Sequence, residues 1–173
     1  MVRSPITLSE EPGAKTGQRR QGGNKYLTFR LGSEEYGIEI LQVREIMGLL
    51  EVTAVPCTPN FVKGVINLRD HVIPITDLRL KFGMPAAARS SQNCIIVVDV
   101  GTVEMGIMVD SVSEVLYISA GDVQATPGFG EDVEAEIFLG MGKVGSRVIL
   151  LLDIKRVLTG EQLAALQALQ KKA

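Results

Sequence analysis

The chain has 173 residues, of which 46% are hydrophobic, and a formal net charge of −2 from 18 basic and 20 acidic residues. The basic residues form no stripe, which argues against nucleic-acid binding, because nucleic-acid binders usually carry an excess of positive charge on one face. No apolar stretch approaches the ~18 residues of a membrane-spanning helix and no secretory signal follows Met1, so we expect a cytoplasmic protein without direct membrane insertion.

The first segment, residues 1–24, is rich in glycine and proline and has few large apolar side chains after Leu8. Such a segment buries too little surface to offset its loss of conformational entropy, so it is predicted to be a disordered leader. Apolar and polar residues alternate over 26–31, which predicts a β-strand. A turn is expected at 32–35 and a second strand over 36–40.

Three later segments also carry a secondary-structure signal. The apolar runs 72–75 and 148–152 have the length of short strands. Pro74 cannot donate a ladder hydrogen bond, so its strand is expected at a sheet edge or at a bulge. Residues 161–173 are predicted to form a C-terminal helix, because residues of high helix propensity there place their leucines in a stripe.

An internal repeat relates residues 26–80 to residues 95–156. In each copy a pair of glycines five residues apart precedes the same aliphatic run with one glutamate, and a later glycine stands thirteen residues before an aspartate. The second copy is longer by seven residues, all within 120–135. The equivalent pairs are Gly37 and Gly106, Glu45 and Glu114, Gly64 and Gly140, and Asp77 and Asp153.

The repeat predicts an all-β architecture. Each copy holds roughly five short strands, which suits a small barrel that closes its own edges. The expected domain covers 25–160, with barrels over about 26–82 and 94–158 between which segments could interchange. Two adjacent barrels leave a groove, which is a natural place for a partner peptide or helix.

Comparison of the copies separates residues of the scaffold from candidates for function. Asp77 and Asp153 occur in both copies and are expected to accept turn or cap hydrogen bonds, while the shared glycines permit tight turns or close backbone approach. The triplet Asn67-Leu68-Arg69 occurs only in the first copy, so the closure of a barrel does not require it. We interpret this triplet as part of a partner-binding site.

Two unshared side chains leave alternatives open. The guanidinium of Arg69 suits the carboxylates or backbone carbonyls of a partner, or it pairs within the chain with Asp70 or Glu45. Phe129 lies in the loop that only the second copy has. There it either plugs one end of a barrel or contacts a partner.

No catalytic constellation is evident, and neither a cofactor nor a metal is predicted. His71 is the single histidine, so no multi-histidine metal site can form. Cys57 and His71 could act as nucleophile and base in a small cysteine hydrolase, but nothing beyond their presence supports that activity. Cys57 lies between prolines and is expected to pack as a small hydrophobe.

Four motifs in fixed order resemble a known family. They are the segments 35–46, 64–69, 72–79 and 106–112, which read EYGIEILQVREI, GVINLR, VIPITDLR and GIMVDSV. Over about residues 25–170 the chain resembles the CheW-like coupling proteins of bacterial chemotaxis. The resemblance implies two SH3-like five-stranded barrels and a non-catalytic adaptor, which couples the cytoplasmic hairpin of chemoreceptors to the regulatory domain of the chemotaxis histidine kinase. It also implies self-association within receptor arrays.

The resemblance further implies roles for individual residues. The residues that it links to receptor binding are Val43, Gly64, Asn67, Leu68, Arg69 and Val115. The residues that it links to contact with the kinase are Glu45, Cys94 and Phe129. The family usually has glycine after the Asn-Leu-Arg triplet, where this chain has Asp70, whose side chain disfavours positive φ and could hold Arg69 in a local pair. A coupling module fused to a receiver domain is the alternative, and it would require a longer chain.

Overall fold

Two β-sheets make up the part of the chain that the computed structural model describes. That part comprises residues 22–56, 58–85, 90–101, 103–124 and 137–158, with Gln162, Ala164 and Ala168. Its strands are β1 (Gly23–Leu31), β2 (Glu34–Glu39), β3 (Val43–Gly48), β4 (Val62–Leu68), β5 (His71–Asp77), β6 (Cys94–Asp99), β7 (Glu104–Val109), β8 (Ser111–Ser119), β9 (Val123–Gln124), β10 (Phe138–Val144) and β11 (Arg147–Leu152). Its short helical elements are α1 (Leu78–Lys81) and 3₁₀ turns at Ile40–Gln42, Ala120–Asp122 and Ile154–Arg156.

The strand order shows that the two copies of the repeat have exchanged strands. One sheet has the order β8-β1-β2-β11-β10-β9 and the other β3-β6-β7-β5-β4. Each sheet therefore combines the first two strands of one copy with the later strands of the other. A parallel pair joins the two sets of strands, β2 with β11 in the first sheet and β5 with β7 in the second. The all-β class is confirmed, and each sheet contains strands of both copies.

Neither sheet closes into a ring of hydrogen bonds within the described residues, so the prediction of closed five-stranded barrels is wrong. One sheet has six strands and ends at β8 and β9, and the other ends at β3 and β4. Glu45 on β3 nevertheless forms an ion pair with Arg69 at the turn after β4. The sheet curls far enough for side chains to join its two ends, although the backbones of the edge strands do not pair.

The glycines of the repeat lie where the backbones approach most closely. Gly64 and Gly140 each follow a β-bulge. A methyl group at Gly64 would lie 2.0 Å from the carbonyl oxygen of Thr53, and one at Gly140 would lie 2.7 Å from that of Gln124. The φ angles of +144° and +154° also disfavour other residues. Both glycines therefore serve the fold, as the repeat predicts.

The aspartates of the repeat also perform the predicted task. Asp77 and Asp153 accept hydrogen bonds from the backbone N–H of Arg79 and Lys155, at 3.0 and 3.1 Å. Each of these carboxylates satisfies a backbone donor at the start of the helical turn that follows the strand.

The largest apolar cluster lies between the two sheets. It includes Phe29 and Tyr36 of one sheet, whose rings stack with centroids 5.9 Å apart, and Ile107 of the other. Each sheet also has a smaller cluster of its own, one around Ile75 and one around Ile149. The central cluster fixes the sheets relative to each other, because burial of apolar surface is the main stabilising contribution of such packing.

Two strand boundaries differ from the sequence-based expectation. β1 begins at Gly23, before the expected start of order near residue 25, because Gly23 pairs with Ser119 of β8. β2 begins at Glu34, within the turn expected over 32–35. The remaining leader, residues 1–21, lies outside the described residues. Gln162, Ala164 and Ala168 are helical and fall within the predicted C-terminal helix.

Of the two positions predicted for Pro74, the sheet edge is wrong, since β5 runs between β7 and β4. A β-bulge of β4 does lie beside it, opposite Ile75 and Thr76. The parallel pairing with β7 begins only at Ile75. An interior strand can therefore accept proline at this position, because the ladder on that side starts one residue later.

Candidate functional site

A groove of about 670 Å³ lies between β3 of one sheet and β8 of the other. We call it the central groove, and it is lined by Leu27, Ile40, Val43, Arg44, Glu45, Ile46 and Val115. β3 and β8 are equivalent strands of the repeat, and Ile46 and Val115 occupy equivalent positions on them. The groove thus lies where the two copies meet, and Val115 is 44% exposed there.

An ion pair stands at the rim of the central groove. The guanidinium of Arg69 donates hydrogen bonds to both carboxylate oxygens of Glu45, one of them at 3.4 Å. This hydrogen bonding outweighs partial burial and lowers the pKa of Glu45. Of the alternatives left open by the sequence, the internal pair forms, and its acid is Glu45 rather than Asp70. The side chain of Arg69 remains 69% exposed.

The turn that carries Arg69 has an unusual backbone. Arg69 and Asp70 both adopt positive φ, +51° and +68°, and no other non-glycine residue among those described does so. Two successive residues with positive φ form the tight hairpin turn that suits the twist of paired strands. Asp70 therefore adopts the conformation that a glycine would adopt with less strain.

The second copy contains a related charge cluster that the sequence did not reveal. Arg147 on β11 pairs with Glu114 at 2.9 Å and with Glu35 at 2.8 Å. Glu114 is the repeat equivalent of Glu45, whereas Arg147 stands two positions beyond the equivalent of Arg69. The pKa of Arg147 is raised by these partners, and that of Glu35 is lowered by its hydrogen bond from Arg147. The only signal in the sequence was an arginine near the same hairpin turn in each copy.

Three other predicted receptor-binding residues do not line the groove. Gly64 is buried against the backbone of Thr53. Asn67 is exposed on β4, and Leu68 is half-buried beside the inner cluster of its own sheet. These residues lie on β4, the strand that leads into the turn carrying Arg69.

The predicted kinase-binding residues are also separated. Glu45 lines the central groove. Cys94 pairs with Gly48 in the sheet, and its thiol lies 3.3 Å from the carbonyl oxygen of Gln92. Phe129 and the candidate nucleophile Cys57 lie outside the described residues. Four residues that line the groove were not predicted. Leu27, Ile40 and Ile46 look like ordinary core residues of a strand pattern, and Arg44 looks like an ordinary surface charge.

Two other kinds of site are absent from the described residues. No group of three or more His, Cys, Asp or Glu side chains in that part of the chain could hold a metal ion. No helix within it is long and apolar enough to cross a membrane. His71, the base in the cysteine hydrolase alternative, is exposed at the start of β5.

A rigid all-β frame with an aliphatic groove and charged side chains at its rim defines a binding scaffold. The family model for the CheW-like domain matches residues 25–162. The chain therefore belongs to the CheW-like family, which consists of scaffold proteins of chemotaxis signal transduction.

Individual relatives agree with this assignment. The chain is 40% identical over 149 residues to a chemotaxis protein CheW from Klebsiella aerogenes, covering 86% of this chain and 90% of that protein. It is 38% identical over 141 residues to one from Rhizobium meliloti, covering 82% and 91%. The crystal structure of the scaffolding protein TtCheW from Thermoanaerobacter tengcongensis superposes with a TM-score of 0.73 at 30% identity, covering 81% of this chain and 95% of that one.

Proposed function

We propose that this chain is a non-catalytic adaptor that couples the cytoplasmic hairpin of a chemoreceptor to the regulatory domain of a chemotaxis histidine kinase. In this proposal it works in the cytoplasm and is recruited to membrane-associated receptor arrays. One observation carries the proposal beyond family membership: the central groove brings Val43 and Val115, from different copies of the repeat, onto one surface.

The groove suits one apolar face of a receptor helix. Val43 and Val115 provide aliphatic contact, and burial of such a side chain contributes ~1.5–3 kcal/mol. Arg69 and Glu45 stand at the rim, where they can exchange their mutual pair for polar groups on the helix. Asn67 and Leu68 act through the strand that presents Arg69, and Gly64 acts through the backbone approach that holds this strand.

The kinase is proposed to bind a surface apart from the groove floor. Cys94 at the start of β6 and Phe129 in the loop of the second copy are the candidate contacts there, as the family resemblance implies. Glu45 belongs with the receptor contacts in this proposal, because it lines the central groove. Separate surfaces would let the adaptor hold both partners at once, and further copies could join through like surfaces within an array.

The receptor contact is tested with two exposed valines of the same sheet. Val115 in the groove and Val148 on β11 are 44% and 50% exposed. Val115→Ser is expected to weaken binding of a chemoreceptor hairpin fragment about tenfold, because it removes roughly 1.4 kcal/mol of apolar contact. Val148→Ser is the matched control and should leave the dissociation constant unchanged. Equal dissociation constants for both variants and the wild type would contradict the groove as the receptor site.

Coupling is tested by capture of both partners. An immobilised receptor fragment should retain the kinase only when this chain is present. Arg69→Ala should reduce retention of the adaptor itself while it lowers the melting temperature only slightly, because the exposed pair with Glu45 contributes less than about 1 kcal/mol. Retention of the kinase by the receptor in the absence of the adaptor, or failure of the adaptor to bind either partner, would contradict the proposed function.

A further inference from the structure

A second apolar surface adjoins the central groove. It surrounds a cavity of about 270 Å³ lined by Gly23, Asn24, Lys25, Glu39, Ile40, Leu41 and Tyr117. Ile40 lines both this cavity and the central groove. Val115 and Tyr117 stand two residues apart on β8, so their side chains point to the same side of the strand. The two cavities therefore form one continuous surface, and we call the second one the Tyr117 section.

Comparison of the copies shows that the fold does not require these side chains. Leu41 is equivalent to Asp110, and Tyr117 is equivalent to Gly48. Asp110 has a structural task, because its carboxylate accepts two hydrogen bonds of 3.0 Å from Arg79. Leu41 is 88% exposed, so it gains almost nothing from packing. At the position of Tyr117, the first copy folds with glycine.

Tyr117 is nevertheless held in place. Its hydroxyl donates a hydrogen bond of 3.3 Å to the carbonyl oxygen of Gly22. Its ring lies over Gly23, where an added methyl group would stand 2.4 Å from the Tyr117 hydroxyl oxygen. An aromatic side chain fixed before binding loses little entropy when a partner covers it, which is the property of an interface anchor.

From this geometry we propose that the receptor helix continues past the central groove onto Leu41 and Tyr117. The inference rests on the proposed function, because the same helix occupies both sections. Two residues of a β-strand span ~6.6 Å and one helical turn rises ~5.4 Å, a difference of ~1.2 Å. A helix that runs along β8 and contacts Val115 thus brings a residue one turn along within reach of Tyr117.

Continuity favours this occupant over two others. Residues 1–21 lead directly into Gly22 beside the Tyr117 section, and a second copy of the chain could also cover an exposed leucine. Ile40 lines both the section and the central groove, so the helix proposed for the groove reaches the section without a break. The flanks of this helix would meet the charged groups of Lys25 and Glu39.

Leu41→Ser is the direct test, because a side chain that is 88% exposed can be truncated without damage to the core. Leu139→Ser is the matched control, since Leu139 on β10 is 46% exposed and lines neither section. Leu41→Ser is expected to raise the dissociation constant for a chemoreceptor hairpin fragment about fivefold to tenfold. Its melting temperature and its binding of the kinase regulatory domain should match those of the wild type and of Leu139→Ser.

Several results would overturn the inference. If Leu41→Ser binds the receptor like the wild type while Val115→Ser binds weakly, the proposed function stands and the extension is wrong. If neither variant weakens binding, both are wrong. A lower melting temperature with unchanged receptor affinity would show that residues 1–21 cover Leu41. Loss of self-association with unchanged receptor affinity, seen by analytical ultracentrifugation, would place a second copy there.

Discussion

The two copies of the repeat build sheets with the same strand order, yet they use their charged residues differently. In the second copy, Arg147 is held by two carboxylates, those of Glu35 and Glu114. In the first copy, Arg69 forms hydrogen bonds only with Glu45 among the described residues. A guanidinium has five N–H donors, so the first copy keeps donors available where the second uses them for the fold.

The same contrast extends to the apolar surface. At equivalent positions one copy has Asp110, which pairs with Arg79, and the other has the exposed Leu41. Shared residues such as Gly64 and Gly140 hold the backbone, and most of the central groove is also lined by residues that the copies share. Leu41 and Tyr117 differ from their counterparts, Asp110 and Gly48, and both line the Tyr117 section. Duplication supplies the frame and the groove, and divergence between the copies supplies the surface beside it.

The largest expected effect concerns the shared glycines. Gly64→Ala should lower the free energy of unfolding by about 3 kcal/mol, because it combines positive φ with a close contact to the carbonyl oxygen of Thr53. Gly140→Ala should destabilise less, since the carbonyl oxygen it would meet is farther away. Urea denaturation measures both changes. If Gly64→Ala weakened receptor binding with no loss of stability, Gly64 would belong to the site rather than to the frame.

Arg79 provides the next largest difference between the copies. Arg79→Ala should cost about 1–3 kcal/mol, because it leaves the partly buried Asp110 without its partner. Burial alone would raise the pKa of Asp110, but the hydrogen bonds from Arg79 and from the backbone of Gly32 outweigh it and lower that pKa. The equivalent Lys155→Ala should change stability by less than about 0.5 kcal/mol. Thermal unfolding of the two variants tests the difference, and equal losses would contradict it.

Asp70 allows a change in the opposite direction. Asp70→Gly should stabilise the chain by about 0.5–1 kcal/mol, because glycine adopts the observed φ of +68° without strain from a side chain. Chemical denaturation measures the gain. A loss of stability instead would show that the Asp70 side chain makes a contribution that exceeds the strain of the turn.

The smallest expected effect is a difference between the two charge clusters in how much stability each one loses at acidic pH. The pKa values of Glu35 and Glu45 are both lowered by their arginine partners, so the stability they add is present above the pKa of an unfolded glutamate, ~4.3, and is lost as the pH falls through the lowered values. Glu35 is the less exposed of the two acids. The melting temperature should therefore depend less on pH in Glu35→Gln than in Glu45→Gln, when each variant is measured at neutral and at acidic pH.

The sequence alone predicted the frame better than the site. Sequence patterns predicted β1 and β2. The internal repeat, in which Gly37 and Asp77 recur as Gly106 and Asp153, identified residues of the frame. The interior position of β5 was not predicted, because Pro74 suggests an edge or a bulge and only the register with β7 shows why proline is tolerated there. Exchange of strands between the copies could be anticipated as an option, but the sequence could not decide it, since strand pairing depends on tertiary packing.

Parts of the groove could be predicted and parts could not. Val43 and Val115 were identified through the family motif, whereas Ile40 looks like any aliphatic residue of a buried strand. The sequence left Asp70 and Glu45 as possible partners of Arg69 within the chain. Glu45 is the partner because the curl of the sheet brings it to the turn after β4, although Asp70 is nearer in the sequence. Leu41 gave no signal, because its exposure follows from the 3₁₀ turn in which it lies.

The most direct test of the central claim is a methyl NMR titration of the labelled chain with an unlabelled chemoreceptor hairpin fragment. The account predicts that the methyl signals of Val43 and Val115 shift together and saturate at the same receptor concentration, while those of Val148 stay in place. Shifts at Val148 with unchanged signals at Val43 and Val115 would show that the receptor binds outside the central groove and would contradict the account.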